Sequence, residues 1–155
     1  MILGYIFVNV TLARYYERKY KISNLEALIH RIKEDPSILV SSYEKIIKRN
    51  GTTEIRNVEI RWRNIVFRGS MIIARVVGEP LKITFYGEKG EIIDIVFIFE
   101  KTPIGYIMRI RVSKNIKSSE IDPSYLTDII DFIEERLITE LMGKTEIKPL
   151  DKPIS

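Results

Sequence analysis

From Thr52 to Ser113 the chain alternates apolar and polar residues with a period of two. Val58, Ile60 and Trp62 alternate with Glu59, Arg61 and Arg63, and Ile65, Phe67, Met71 and Ile73 are interleaved with Arg68 and Ser70. That period matches the pleat of a strand with one face buried and one wet. Turn signals at Gly78-Glu79-Pro80, Glu88-Lys89-Gly90 and Thr102-Pro103-Ile104-Gly105 divide the region further, around "LKITFYG", "IIDIVFIFE" and "YIMRIRVS". The prediction is an antiparallel meander of five strands. The N-terminal "MILGYIFVNVTLARYYERKYK" adds strand, for six or seven in all.

Elsewhere the period lengthens. In "SNLEALIHRIKED", Ser23 and Glu26 have capping-box spacing, and Leu25, Leu28, Ile29 and Ile32 repeat as a helix face over about Asn24 to Glu34. Pro36 disfavours helical geometry at Asp35 and suits a first helical position. A second short helix is therefore predicted, with Leu39, Tyr43, Ile46 and Ile47 on one face and an end at Asn50-Gly51. Asp122-Pro123 opens the longest helix, to about Met142, along which Leu126, Ile129, Ile130, Ile133, Leu137 and Leu141 form the apolar stripe. Gly143 stops it. Residues 1–143 read as one domain and 144–155 as a short polar tail.

A sheet with one apolar face needs a cover, and the C-terminal helix is the only element long enough to supply it. The fold class is thus α+β, with a curved sheet wrapped on that helix and the short helix pair closing one end. A chain of 155 residues suffices to bury roughly two-thirds of its unfolded surface without staples. It has no cysteine, which excludes disulfides, thiolate metal sites and cysteine nucleophiles. A reducing, cytoplasmic setting is expected. No segment has the run of about 18 apolar residues that a membrane-spanning helix needs. Ile occurs 29 times and Ala 3 times, a bias compatible with a thermophile source.

The net charge of +4 is unevenly distributed: Arg14 to Lys33 carries six basic and two acidic residues, Asp122 to Met142 six acidic residues and one Arg. A basic rim would attract an anionic ligand, whereas a pair of solvated faces would serve solubility.

"LEALIHRIKEDPSIL" and "FEKTPIGYIMRIRV", with the closing amphipathic helix, resemble the helix-grip (SRPBCC) superfamily, which includes START lipid-transfer domains and the birch-pollen allergen proteins. Within it the chain looks nearest to the carbon monoxide dehydrogenase G-like proteins. The resemblance implies a cavity between sheet and C-terminal helix that holds a hydrophobic or amphipathic ligand. Trp62, Phe67, Met71, Phe85, Phe97, Tyr106 and Met108 from the strands, with Ile129, Ile130 and Ile133 from the helix, are its expected lining. A carrier or accessory protein is implied, with no cofactor required and coenzyme A or an acyl-type compound as the most concrete ligand. An enzyme of the cyclase or dehydratase type is the alternative. The long Ile2 to Ile22 segment, if it is an added strand, would pair with a second copy in a homodimer.

Catalytic constellations are sparse. His30 stands alone on the polar side of its helix. Asp128-Asp131 and Glu134-Glu135 read as a solvated helix face, Gly87 to Gly90 as a hairpin turn, and Ser41-Ser42 as mid-helix residues without a base. No catalytic motif is found, so the expectation is a binding protein and not an enzyme. Arg56, Arg61, Arg63, Arg68, Arg75, Arg109 and Arg111 should project from the outer sheet face beside Glu54, Glu59 and Asp94. A phosphate-bearing ligand, or nucleic acid held with Trp62 and Tyr86, would use them. Nucleic acid ranks lower, because the basic excess is modest.

Overall fold

The computed structural model describes residues 15–74 and 81–150. Eight strands form one sheet in the order β2-β3-β4-β5-β6-β7-β1-β8, every neighbouring pair antiparallel. They are β1 (Tyr15–Ile22), β2 (Lys45–Arg49), β3 (Thr52–Trp62), β4 (Ile65–Ala74), β5 (Leu81–Gly87), β6 (Ile92–Thr102), β7 (Gly105–Lys114) and β8 (Ile147–Leu150). Helix α1 (Leu25–Glu34) and a 3-10 turn (Pro36–Leu39) join β1 to β2, and helix α2 (Pro123–Glu140) packs on the curved sheet. This is the helix-grip architecture.

The core lies between sheet and α2. Ile55, Val58 and Ile60 of β3, Phe67 and Met71 of β4, Ile83 and Phe85 of β5, Ile95 and Phe97 of β6 and Met108 and Ile110 of β7 meet Leu126, Ile129, Ile130, Phe132, Ile133 and Leu137 of α2. Burying each large aliphatic or aromatic side chain contributes about 1.5–3 kcal/mol. Phe67 packs edge-to-face on Phe85 and on Tyr125, with centroids at 6.0 and 5.4 Å, and Trp62 does so on Phe132 at 6.3 Å.

Topology explains the Asp35-Pro36 break. From β1 to β2 the chain crosses six strand positions, about 29 Å along the sheet at about 4.8 Å a step, while the sheet curves beneath it. A turn between α1 and the 3-10 segment lets the connection follow that curve. It is pinned on both sides. The Ser37 hydroxyl and Arg31 donate to the Asp35 carboxylate, Arg31 also reaches Glu140 of α2 at 3.0 Å, and Arg136 Nε donates to the Ile38 carbonyl at 2.7 Å.

Several expectations are corrected. A single 3-10 turn and strand β2 stand where a second helix was expected. Asn50-Gly51 is the β2–β3 hairpin turn, with Gly51 at φ 76° and Arg49 paired to Thr52. Asn-Gly suits both a helix end and a two-residue hairpin, and the pairing decides for the hairpin. Ser42 forms an isolated bridge with Glu59, and the Ser41 and Ser42 amides both donate to the Glu59 carbonyl.

At α1 the cap is Asn24, whose side chain accepts from Ala27 N at 3.1 Å. Ser23 instead faces the C-terminal segment, which is no tail: residues 147–150 form β8 on β1. Ser23 Oγ accepts from Glu146 N at 2.8 Å, and Thr145 Oγ1 accepts from Asn24 N at 2.8 Å. The expected strand before Tyr15, the turn at Gly78-Glu79-Pro80, Arg75 and residues 151–155 lie outside the described residues, as does any dimer contact through Ile2 to Arg14. Among the described residues no helix is long and apolar enough to cross a membrane.

Candidate functional site

Alternation along β1 sends Tyr16, Arg18, Tyr20 and Ile22 to the same face, where Arg18 pairs across to Ile110 and Tyr20 to Met108 of the core. On α2, Thr127, Ile130, Asp131 and Glu134 recur at helical spacing on one stripe. Arg18 Nη1 reaches Asp131 Oδ1 at 2.5 Å and Glu134 Oε1 at 3.8 Å. Strand and helix are thus tied by charge beside the apolar core.

Two further elements close the surroundings of that pair. The β3–β4 hairpin brings Trp62 and Arg63. Arg63 adopts φ 56° in the turn and lays its guanidinium 5.3 Å from the centre of the Trp62 ring. Beyond β1, strand β8 supplies Pro149 and Leu150. The result is a partly open cleft of about 780 Å³ whose lining includes Tyr16, Arg18, Trp62, Ile130, Asp131 and Glu134. Its walls combine an aromatic face, an aliphatic floor and several charges.

Electrostatics follow from burial. Desolvation works against the Arg18 cation, but the Asp131 bond, with Glu134 behind it, more than offsets this and raises its pKa. Tyr20 is fully buried, which pushes its phenol far above the usual value, and Glu134 raises it further. Yet the Tyr20 hydroxyl and the Glu134 carboxylate do not meet in hydrogen-bond geometry, and among the described residues that hydroxyl has no partner. The indole N–H of Trp62 is likewise enclosed and unpartnered. Around the cleft, Glu17, Asp131, Glu134 and Glu135 face Arg18, Lys19 and Arg63. Four carboxylates against three cations leave the lining slightly acidic, not basic.

Of the ten residues expected to line a cavity, Trp62 and Ile130 line this cleft. Phe67 reaches a second depression of about 590 Å³, beside Tyr125 and Ile121. Met71, Phe85, Phe97, Met108, Ile129 and Ile133 are core residues at 2% exposure or less, and Tyr106 packs against that core. They are brought together in one buried hydrophobic cluster.

Sequence reasoning missed Arg18, Tyr20, Asp131 and Glu134. Arg18 and Tyr20 share strand parity with Ile22, a signal within reach, but the acidic stripe on α2 resembles any wet helix face. His30 sits exposed, 3.3 Å from Glu34.

The outer-face arginines are paired: Arg56 with Glu54, Arg61 and Arg68 with Glu59, Arg109 with Glu100, and Arg111 with Glu17. Asp94, expected among their partners, instead accepts from Thr84 and Asn115.

No family model matches the chain, and no curated protein matches it. Among solved structures it is similar to TTHA0849 from Thermus thermophilus, with TM-score 0.51 and 12% identity over 82% of this chain and 97% of that one. It is also similar to the di-domain ARO/CYC StfQ from the steffimycin biosynthetic pathway, with TM-score 0.56 and 9% identity over 81% of this chain and 48% of that one. A third likeness is to Ara h 8.0201, with TM-score 0.50 and 15% identity over 81% and 97% of the two chains. At these identities the likeness is one of fold.

Proposed function

We propose that the protein binds a small amphipathic molecule in the cleft between β1, α2 and the β3–β4 hairpin, and acts as a carrier or accessory protein. The observation that carries this reading is the cleft itself: about 780 Å³, with Trp62 and Ile130 as apolar surface and the Arg18–Asp131–Glu134 group as a polar wall. The reading places the ligand at this opening, next to the buried side chains of the interior. An accessory role in a cytoplasmic setting is the finer form, supported by the resemblance of the short helix and late hairpin to the carbon monoxide dehydrogenase G-like proteins. Coenzyme A is the phosphate-bearing version, and the slightly acidic lining weighs against it.

An enzyme of the same fold is the second reading. It is favoured by Tyr20 and Glu134, a buried phenol and a carboxylate beside an apolar surface, and by one structural neighbour being an aromatase/cyclase.

Trp62 is the only tryptophan, so its fluorescence reports on the cleft directly. Titration with fatty acids, acyl-coenzyme A and nucleotides should give a saturable change in Trp62 emission for an amphipathic compound. A matching rise in Tm should follow, since a ligand at 100 times its Kd contributes about 2.7 kcal/mol. Thr127→Phe, which narrows the cleft from its wall, should abolish both signals and leave the unliganded Tm within a few degrees. Unchanged emission and Tm with every compound would overturn the reading.

A further inference from the structure

Arg63 differs from the rest of the cleft lining in its backbone and in its charge. It is the first residue of the two-residue turn between Trp62 and Ile65 and holds φ 56°, a left-handed value that glycine adopts freely and an L side chain does not. Side chains held in such conformations concentrate at functional sites. Arg63 is exposed, and among the described residues no carboxylate stands within ion-pair distance of it, whereas Arg18 holds Asp131 and both Arg61 and Arg68 hold Glu59. Its guanidinium lies 5.3 Å from the centre of the Trp62 ring, in the wall of the cleft. Carboxylates of the same lining are engaged elsewhere: Asp131 by Arg18 at 2.5 Å, with Glu134 3.8 Å from the same nitrogen, and Glu17 by Arg111 at 2.5 Å. Arg63 therefore keeps its donors for a group from outside the chain. Lys19 is the other lining cation without an ion pair among the described residues, but strand alternation sends it to the face opposite Arg18 and away from α2.

We infer that Arg63 binds the carboxylate of a monoanionic amphiphile, whose apolar body lies against Trp62 and Ile130. A planar guanidinium fork meets a carboxylate with two parallel N–H···O bonds, and the contact with Trp62 holds that fork beside the apolar surface that the ligand's body needs. The charges nearby set the limit. Glu134 and Glu135 stand in the same lining, so each further negative charge on a ligand meets repulsion that a single carboxylate at Arg63 does not. Glycine in this turn would relieve the backbone and lose the guanidinium, so the arginine gives up local stability for recognition. This assignment rests on the cleft being the binding site and adds the chemistry of the ligand's polar end.

Calorimetric titration with 2-naphthoate, 2-naphthamide and 2-naphthyl phosphate separates the two claims. The three share a ring system and bring a single negative charge, none, or those of a phosphate. The wild-type protein should bind 2-naphthoate about tenfold more tightly than 2-naphthamide, and more tightly than 2-naphthyl phosphate. Arg63→Gly and Arg63→Gln should each reduce the preference over the amide to less than about threefold, with affinity for 2-naphthamide unchanged. Arg63→Gly should also keep a Tm equal to or above that of wild type, because glycine suits the turn. Lys19→Gln should leave the preference as it is. Equal wild-type binding of carboxylate and amide, tighter binding of the phosphate, or a preference that survives in the Arg63 variants or vanishes in Lys19→Gln overturns the assignment and leaves the cleft standing. A lower Tm for Arg63→Gly with an equal loss of affinity for all three compounds marks Arg63 as a structural residue and overturns it as well. No binding of any of them, together with Trp62 emission unmoved by the fatty acids and nucleotides above, overturns both claims.

Discussion

Asp35 shows how much one side chain can settle. It ends α1, precedes the proline, and accepts from the Ser37 hydroxyl and from Arg31, whose other nitrogen holds Glu140 of α2. The Ser37 bond, followed by Arg31, lowers its pKa. A lowered folded value means that its stabilising effect is complete above the unfolded value of about 4 and fades as pH falls through the folded one. Asp35→Asn should therefore unfold more easily than wild type at pH 7. The gap in denaturant midpoint should narrow progressively as pH falls below about 4. A gap constant across that range would mean the charge is irrelevant and only the cap geometry counts.

At the scale of elements, the strands with regular alternation were legible, because one face of each meets a core and the other meets water. Val58, Ile60 and Trp62, or Ile93, Ile95 and Phe97, admit no other reading. The misread segments are those in which two periods fit. In "SYEKIIKRNG", Tyr43, Ile46 and Ile47 suit a helix face, yet an edge strand with lysines at Lys45 and Lys48 uses the same residues. In "IKPL" a proline within four residues hides a strand that only its partner β1 defines. The site was less legible, since Arg18 and Asp131 become neighbours only through the packing of α2 on β1. Ending the chain after Met142 should expose Lys19–Ile22 on the side that β8 covers and remove Pro149 and Leu150 from the cleft. Amide exchange along Lys19–Ile22 should accelerate while the β3–β6 amides keep their protection, and cleft affinity should fall severalfold.

For the molecule as a whole, charge is mostly organised in pairs. A sequence carrying +4 suggests a basic surface, but five outer-face arginines are answered by neighbouring glutamates. Such exposed pairs are individually worth about 0–1 kcal/mol, though together they flatten the potential that a polyanion would sense. Duplex DNA or RNA should not be retained at about 0.15 M salt, where screening acts over about 8 Å. Tight binding there, weakening steeply with added salt, would instead mark a nucleic-acid surface.

The position of β1 has a consequence for synthesis. Its two sheet partners are β7 and β8, at residues 105–114 and 147–150, the last two described strands to be made. At about 5–20 residues per second, the nascent Tyr15–Ile22 segment waits several seconds or more with its hydrogen-bonding edges open. The β3–β6 meander, whose partners follow one another in order, can pair meanwhile. Assembly should thus finish with the earliest described strand seated last and the cleft beside it completed only then.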